Sequence, residues 1–232
     1  MGNLMIDETN SLSDTAYQTL RQAILSGELA AGYFASDREL CEQFTFSRTP
    51  VREAVLRLRD EQLVEVLPRK GMRVCPLMVD DMREMSVLLK ALAIQACLDI
   101  RAGTVDYAAI KAVEIYTLEM EETVADEDRT AWLEAEQSFH MRLIDLCGNK
   151  RLISIYTNLF SLLERARYFT LYLRDTPTKS TLEYRNIFNA LTEKSELPLD
   201  KLLRDHWDRS SEEILMLVSK YTKGTVRASL EM

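Results

Sequence analysis

A chain of 232 residues, 47% of them hydrophobic, holds enough apolar material for one large or two ordinary cored domains, and seven glycines with five prolines are too few for a turn-rich all-β fold. No run of eighteen apolar residues is present to cross a membrane, and the opening MGNLMIDETNSLSDT lacks the basic start and apolar stretch of a signal peptide, so a cytoplasmic protein with no membrane partner is expected. The net charge of −8 argues against nucleic acid as a partner until its distribution is considered.

Residues 1–12 read as a flexible tail. The stripe Ala16, Tyr17, Leu20, Ala23 and Ile24 in AYQTLRQAIL marks a first helix, which SGELAAG ends. Ser36 is placed to N-cap a short helix over Asp37–Phe44. After the tight connection TFS, a helix is expected over 50–61, with Val51, Ala54, Val55 and Leu58 on its buried stripe. Thr49 would cap it ahead of Pro50. Ser47 is the competing choice, because proline is tolerated throughout a first turn. LVEVL and MRV read as two short strands around PRKG. Three helices, the last two closely joined, followed by a β-hairpin, make a winged helix-turn-helix over 13–76.

From Pro76 onward the helical period is almost continuous. Helices are expected over 80–102, 105–125, 128–147, 149–173, 178–195 and 199–222, with RAG, CGN and TPT marking three of the ends. The fold class expected is mainly α. It comprises the N-terminal winged helix-turn-helix and a C-terminal all-α bundle over 77–222, with a tail over 223–232. Cys41, Cys75, Cys97 and Cys147 are scattered, form no CxxC pair and lie in or beside apolar patterns. Buried free thiols are expected of them, with a disulfide as the alternative.

Eight of the nine basic residues in the first 75 lie within 36–75, whereas the remaining 157 residues carry 20 basic and 26 acidic groups. Only nearby charges count once salt screens the rest, so a locally basic end on an acidic body can still bind phosphate. The stretch SRTPVREAVLRLRD sharpens the point. Arg48 and Arg52 project from a helix N-terminus, where a cation opposes the helix dipole by about 0.3–1 kcal/mol. That placement makes sense if they meet an anion. For Arg57 and Arg59 a solvated surface role is preferred.

LRQAILSGEL, then DRELCEQFTFSRTPVREAVLRLRDEQLVEVLPRKGMRV, resembles the DNA-binding domain of the GntR family of bacterial transcription regulators. One departure is Glu61-Gln62, where a glycine is usual before LV. The resemblance implies that Arg38 faces the phosphate backbone. It implies that Ser47, Arg48, Thr49 and Arg52 enter the major groove, with an arginine reading guanine through O6 and N7. Lys70 and Gly71 would reach the minor groove or its phosphates, the glycine allowing a close backbone approach.

The only two histidines are His140 and His206. Glu136 and His140 are four apart on one helix face, a spacing at which a carboxylate and an imidazole can share a metal, and His206 could supply a further ligand. Arg165, Arg167 and Tyr168, in RARYFTLYLR, could line a pocket and bind a carboxylate. Around them the chain resembles the FCD ligand-binding domain of the FadR subfamily. EQSFH and CGN match, with Glu136 where aspartate is usual and His206 at the last histidine. Tyr184 stands where the middle histidine would be, and Lys90 where an arginine is often found. The resemblance implies a divalent metal (zinc, nickel or manganese) on Glu136, His140 and His206. An effector pocket would include Lys90, Arg165, Arg167 and Tyr184. Tyr184 could ligate only as a phenolate, which its ordinary pKa disfavours. The alternative is a metal-free pocket whose histidines hydrogen-bond an anionic effector.

The expected function is therefore a homodimeric transcription regulator, a repressor by family habit, that binds operator DNA and is controlled by a small carboxylate. It is not expected to be an enzyme. The rival readings are a metal-dependent hydrolase or lyase using Glu136, His140 and His206, and a module whose winged helix contacts protein instead of DNA.

Overall fold

The computed structural model describes residues 11–103, 105–192 and 198–228, with side chains to Tyr221 in the last helix. Most of the expected N-terminal tail, the end of the expected 178–195 helix and residues 229–232 lie outside the described residues. The chain divides into two compact units, 1–76 and 77–232.

In the first unit, α1 (Leu12–Ser26) starts in a capping box between Ser11 and Asp14 and ends at Gly27, whose φ of 84° is the left-handed conformation glycine takes without strain. Its stripe Ala16, Tyr17, Leu20, Ala23 and Ile24 is buried, as expected. β1 (Phe34–Ala35) follows, then α2 (Asp37–Phe44), capped by Ser36 in a second capping box with Glu39. Next are α3 (Arg48–Asp60), β2 (Val64–Leu67) and β3 (Gly71–Val74). The sheet has three antiparallel strands in the order β1-β3-β2, rather than the bare hairpin expected. Val64 pairs with Val74 and Leu67 with Gly71, while Phe34 and Ala35 add to the other edge of β3. α1 packs on α3, and Val51, Ala54, Val55 and Leu58 meet Leu20, Leu40, Leu63 and Met72 in one apolar core.

Gly71 makes a close approach within its own sheet. Its φ is 128°, and a Cβ built there would lie 2.1 Å from the Ala35 carbonyl oxygen. The close approach it permits is to β1 of its own sheet. Gly71→Ala must prise β1 off β3 and strain the backbone, and is expected to cost roughly 2–4 kcal/mol of stability. A thermal melt of the variant beside the parent checks this, and an unchanged midpoint would contradict it.

The second unit comprises α4 (Val79–Ala102), α5 (Tyr107–Lys111), α6 (Glu114–Ala125), α7 (Arg129–Leu146), α8 (Lys150–Thr170), α9 (Thr178–Leu191) and α10 (Leu199–Ala228). Two expectations are corrected. The single helix expected over 105–125 is α5 and α6, because Val113, fully buried, turns the chain through i→i−3 bonds (Val113 N–H to Ile110 O, Tyr116 N–H to Val113 O). The expected tail over 223–232 is helical as far as Ala228, since α10 runs through Gly224. α4 packs on α7, α8 and α10, and α9 packs on α6 and α10. Two apolar clusters form, one around Trp132, Phe139 and Phe188, the other around Leu89, Tyr156, Phe160 and Trp207. All four cysteines are free thiols, but only Cys97 is fully buried, and burial pushes its pKa up to about 12.

Candidate functional site

Ser47, not Thr49, caps α3, so the helix begins two residues earlier than expected and Thr49 sits inside its first turn. The Ser47 side chain makes no capping hydrogen bond. The physical reason is local: a cap hydroxyl commonly takes the N–H of the third helical residue, and here that residue is Pro50, which has none. No acidic residue occupies the first turn. Ser47, Arg48 and Thr49 are exposed, and the Arg48 side chain has no ion pair or hydrogen bond among the described residues. Arg52, one turn on, is held by Asp37 of α2 (Nε–Oδ2 2.7 Å), and Arg38 by Glu42 (2.8 Å). Such exposed pairs are worth about 0–1 kcal/mol, so a phosphate can take over either arginine at little cost. The start of α3 thus presents free first-turn N–H groups, a free hydroxyl and an uncompensated guanidinium, an arrangement that attracts an anion.

Lys70 is exposed in the turn between β2 and β3, beside Arg69, which the sequence reading did not single out. Arg69 has φ of 64°, and neither side chain has a partner among the described residues. Arg57 and Arg59 are not part of this face. Arg57 pairs with Asp14 at 2.6 Å and lies over the Tyr17 ring, and Arg59 pairs with Asp60.

In the second unit, Glu136 and His140 of α7 and His206 of α10 do converge, all three buried, with one candidate ligand atom of each within 4.8 Å of the others. Tyr184 of α9 and Arg167 of α8 join them. The hydrogen bonds form a directed chain. Tyr184 donates its only proton to Glu136 Oε1 at 2.5 Å, so at 2.8 Å His140 Nε2–H must donate to the Tyr184 oxygen. His140 Nδ1 then accepts from the Tyr156 hydroxyl at 3.0 Å. The second Glu136 oxygen forms an ion pair with Arg167. Burial, then the Arg167 charge, holds the His140 pKa well below its ordinary value, so the ring is neutral. Burial, then Glu136, pushes the Tyr184 hydroxyl well above its ordinary value, so it is a donor and not a phenolate. For Arg167, burial is the largest influence and favours losing the proton, but Glu136 together with Tyr184 and Tyr156 outweighs it, and the guanidinium is held more firmly charged than usual.

His206 is arranged differently. Its Nδ1 faces Glu183 at 2.7 Å, which in the neutral ring leaves Nε2 as the acceptor, the orientation common in metal-binding histidines. Burial disfavours the Glu183 carboxylate, but His206 and Arg209 outweigh it and hold its pKa down at about 2. By spacing, Glu136, His140 and His206 could hold a metal ion. By chemistry, only His206 offers a ready lone pair. The His140 Nε2 carries a proton committed to Tyr184, the Glu136 charge is met by Arg167, and the adjoining cavity of about 10 Å³ has room for one water-sized centre.

The expected effector residues are not all gathered here. Arg167 and Tyr184 belong to the chain just described. Lys90 is instead paired with Asp208 in a separate groove with Arg83 and Ser86. Arg165 is buried, but two residues from Arg167 it leaves α8 on nearly the opposite side. Tyr156 and Glu183, which fix the two histidines, were missed. Nothing in their sequence neighbourhoods marks them, because their partners come from other helices.

A winged helix-turn-helix with an anion-facing helix start, carried in one chain with an all-α unit around a buried polar cluster, defines a DNA-binding transcription regulator with an effector-binding domain. Residues 12–74 match the model of bacterial regulatory proteins of the gntR family, and residues 81–209 match the FCD domain. The chain belongs to the GntR family, and its FCD domain fits the FadR subfamily. It is 31% identical, over 82% of its length and 79% of the relative's, to an uncharacterized HTH-type transcriptional regulator in an unstable DNA locus of Streptomyces ambofaciens. It is 24% identical to the HTH-type transcriptional repressor RspR of Escherichia coli, over 90% of this chain and 91% of that one. Among solved structures, E. coli McbR/YncC superimposes with a TM-score of 0.74 at 17% identity, covering 89% of this chain and 98% of the other. These families and relatives are regulators and not enzymes, which removes the hydrolase or lyase reading. Among the described residues no helix is long and apolar enough to cross a membrane.

Proposed function

We propose that this regulator is a cytoplasmic repressor that acts as a homodimer on a pseudo-palindromic operator and is released or recruited by a small carboxylate. The observation that carries the DNA-reading part is the start of α3: an uncapped first turn with Arg48 unpaired beside it. In this reading Arg48 and Arg52 reach base edges in the major groove. Ser47 and Thr49 bond phosphate or base, Arg38 contacts the backbone, and Lys70 enters the minor groove or its phosphates. Gly71 shapes the wing tip. The repressor role is supported by the name of the E. coli relative. Dimerisation is supported by the small size of one reading unit, which buries too little for tight specific binding alone. Exposed apolar residues on α4, Val87, Leu88 and Leu98, suit contact with a second copy.

A divalent metal enters this reading only by exchange. To sit on Glu136, His140 and His206 it must displace Arg167 from the carboxylate and the proton from His140 Nε2. When bound, it would supply a Lewis-acid contact for a carboxylate effector.

Selection of the full chain against a randomised duplex tests the function. A two-fold symmetric site, with half-site centres about 10 base pairs or a multiple of that apart, is the expected result. Failure to enrich any duplex would sink the DNA-reading claim, and enrichment of lone half-sites would sink the dimer.

A further inference from the structure

Arg174, in the turn that joins α8 to α9, is half-buried, and Glu136 and Glu213 lie within electrostatic reach of it but neither pairs with it. Its Nε is enclosed and has no hydrogen-bond partner, and its guanidinium forms no ion pair among the described residues. Burial depresses its pKa from the ordinary arginine value. The turn that carries it is firmly held, because Arg129 donates to the carbonyl oxygens of Leu171 and Arg174 (3.3 and 2.7 Å). Arg174 lines a cavity of about 170 Å³ in the second unit together with Trp132, Leu171, Pro177, Lys179, Ser180 and Glu213. An apolar cavity of about 150 Å³ takes a benzene-sized molecule, so the space suits a small organic ligand.

The charge around this space favours an anion. Lys179 has no ion-pair partner among the described residues, and it lies in the first turn of α9, where Pro177 provides no side-chain cap. Arg209, also on the wall, is already taken up by Glu183 and Glu213. Asp175, exposed at the rim, pairs with neither Arg174 nor Lys179. The cavity is therefore lined by Arg174 and Lys179, neither of them in an ion pair among the described residues, beside apolar Trp132 and Leu171, while its carboxylate Glu213 is taken up by Arg209 and the histidine cluster has room for little more than a water.

We propose that the effector's carboxylate binds here, on Arg174 with Lys179 and the start of α9, its short apolar body lying against Trp132 and Leu171. The site rests on the reading of the chain as an effector-controlled regulator. It differs from the expected pocket of Lys90, Arg165, Arg167 and Tyr184. Arg174 also lies within electrostatic reach of Glu136 and Arg167, so an anion on it changes the field felt by the buried chain of hydrogen bonds.

Titration calorimetry and thermal shift on the full chain without DNA, using benzoate, succinate and inorganic phosphate as probes, test the site. At least one carboxylate should bind and raise the melting temperature. Arg174→Gln should lose at least tenfold in affinity for it, and Arg174→Lys should lose less. Without ligand, Arg174→Gln should melt no lower than the parent, since it removes a half-buried charge that has no ion-pair partner among the described residues. A variant that has simply unfolded cannot meet that condition, and the lysine variant then carries the comparison. Equal affinity in parent and Arg174→Gln, binding of phosphate alone, or no binding by either carboxylate overturns the proposal. Because DNA is absent, such a failure leaves the DNA-reading claim standing, and failure of operator binding leaves this one standing.

Discussion

Alanine at both Arg48 and Arg52 is expected to abolish operator recognition while leaving the fold intact. Each arginine that reads a guanine edge bidentately contributes about 1–3 kcal/mol of discrimination, roughly 5- to 150-fold in affinity for each position. The two are not equivalent. Arg48 is unpaired in the free protein and loses no internal partner on binding, whereas Arg52 must leave Asp37. Arg48→Ala should therefore be the larger single loss and should relax preference at one base pair. Lys70→Ala should instead weaken all duplexes evenly and reduce the salt dependence by about one counterion. Both arginines are exposed and neither enters the apolar core, so stability should stay within about 0.5 kcal/mol of the parent. Fluorescence anisotropy on the selected duplex, repeated at several salt concentrations, separates these outcomes. A double variant that still binds with the parent's preference would leave the basic helix start without a role in reading.

How far the sequence carried depended on whether the deciding interaction was local. The α2 cap was legible because Ser36 and the helix it starts are adjacent. The α3 stripe was legible because one periodicity sets it. The departure at Glu61-Gln62 was legible too, and the structure gives it a physical meaning: Gln62 has φ of 60°, the left-handed conformation for which a glycine is the easy residue. β1 was not legible, since two residues show no alternation and their pairing to β3 is long-range. The cap of α3 was left open between Thr49 and Ser47, and Ser47 takes it because Pro50 is the third residue of the helix and not the first. In the second unit, the Glu136/His140/His206 grouping followed from helix spacing plus resemblance. The residues that decide its chemistry did not. Arg167 was expected in an effector pocket, and in the structure its partner is Glu136. Tyr184 was read as a poor metal ligand, and it is the donor that fixes the His140 tautomer. Such assignments need the other helices in place, because a buried charge takes whatever partner the packing brings to it.

Arg167 is where the largest change in stability is expected. Arg167→Met leaves the Glu136 carboxylate buried with one tyrosine hydroxyl and no ion-pair partner, and removes a cation from over the Phe160 ring, 4.6 Å from its centroid. Breaking a buried pair from one side costs about 3–5 kcal/mol, much of it the penalty on the partner left behind. Combining it with Glu136→Gln should recover most of that loss, because the pair as a whole contributes far less than either half exposes. Denaturant unfolding of the parent, both single variants and the double variant measures the coupling. The same substitution decides the metal question. If Arg167 occupies the charge position a divalent ion would take, Arg167→Met should bind zinc or nickel at least about tenfold more tightly than the parent, and the metal should restore part of the lost stability in proportion to that affinity. His140→Ala on that background should remove the gain. Equal metal affinity with and without Arg167 would mean that ion and guanidinium do not compete. Glu136 would then be bound to its arginine for structural reasons alone, and the histidines would have to hold any metal without it.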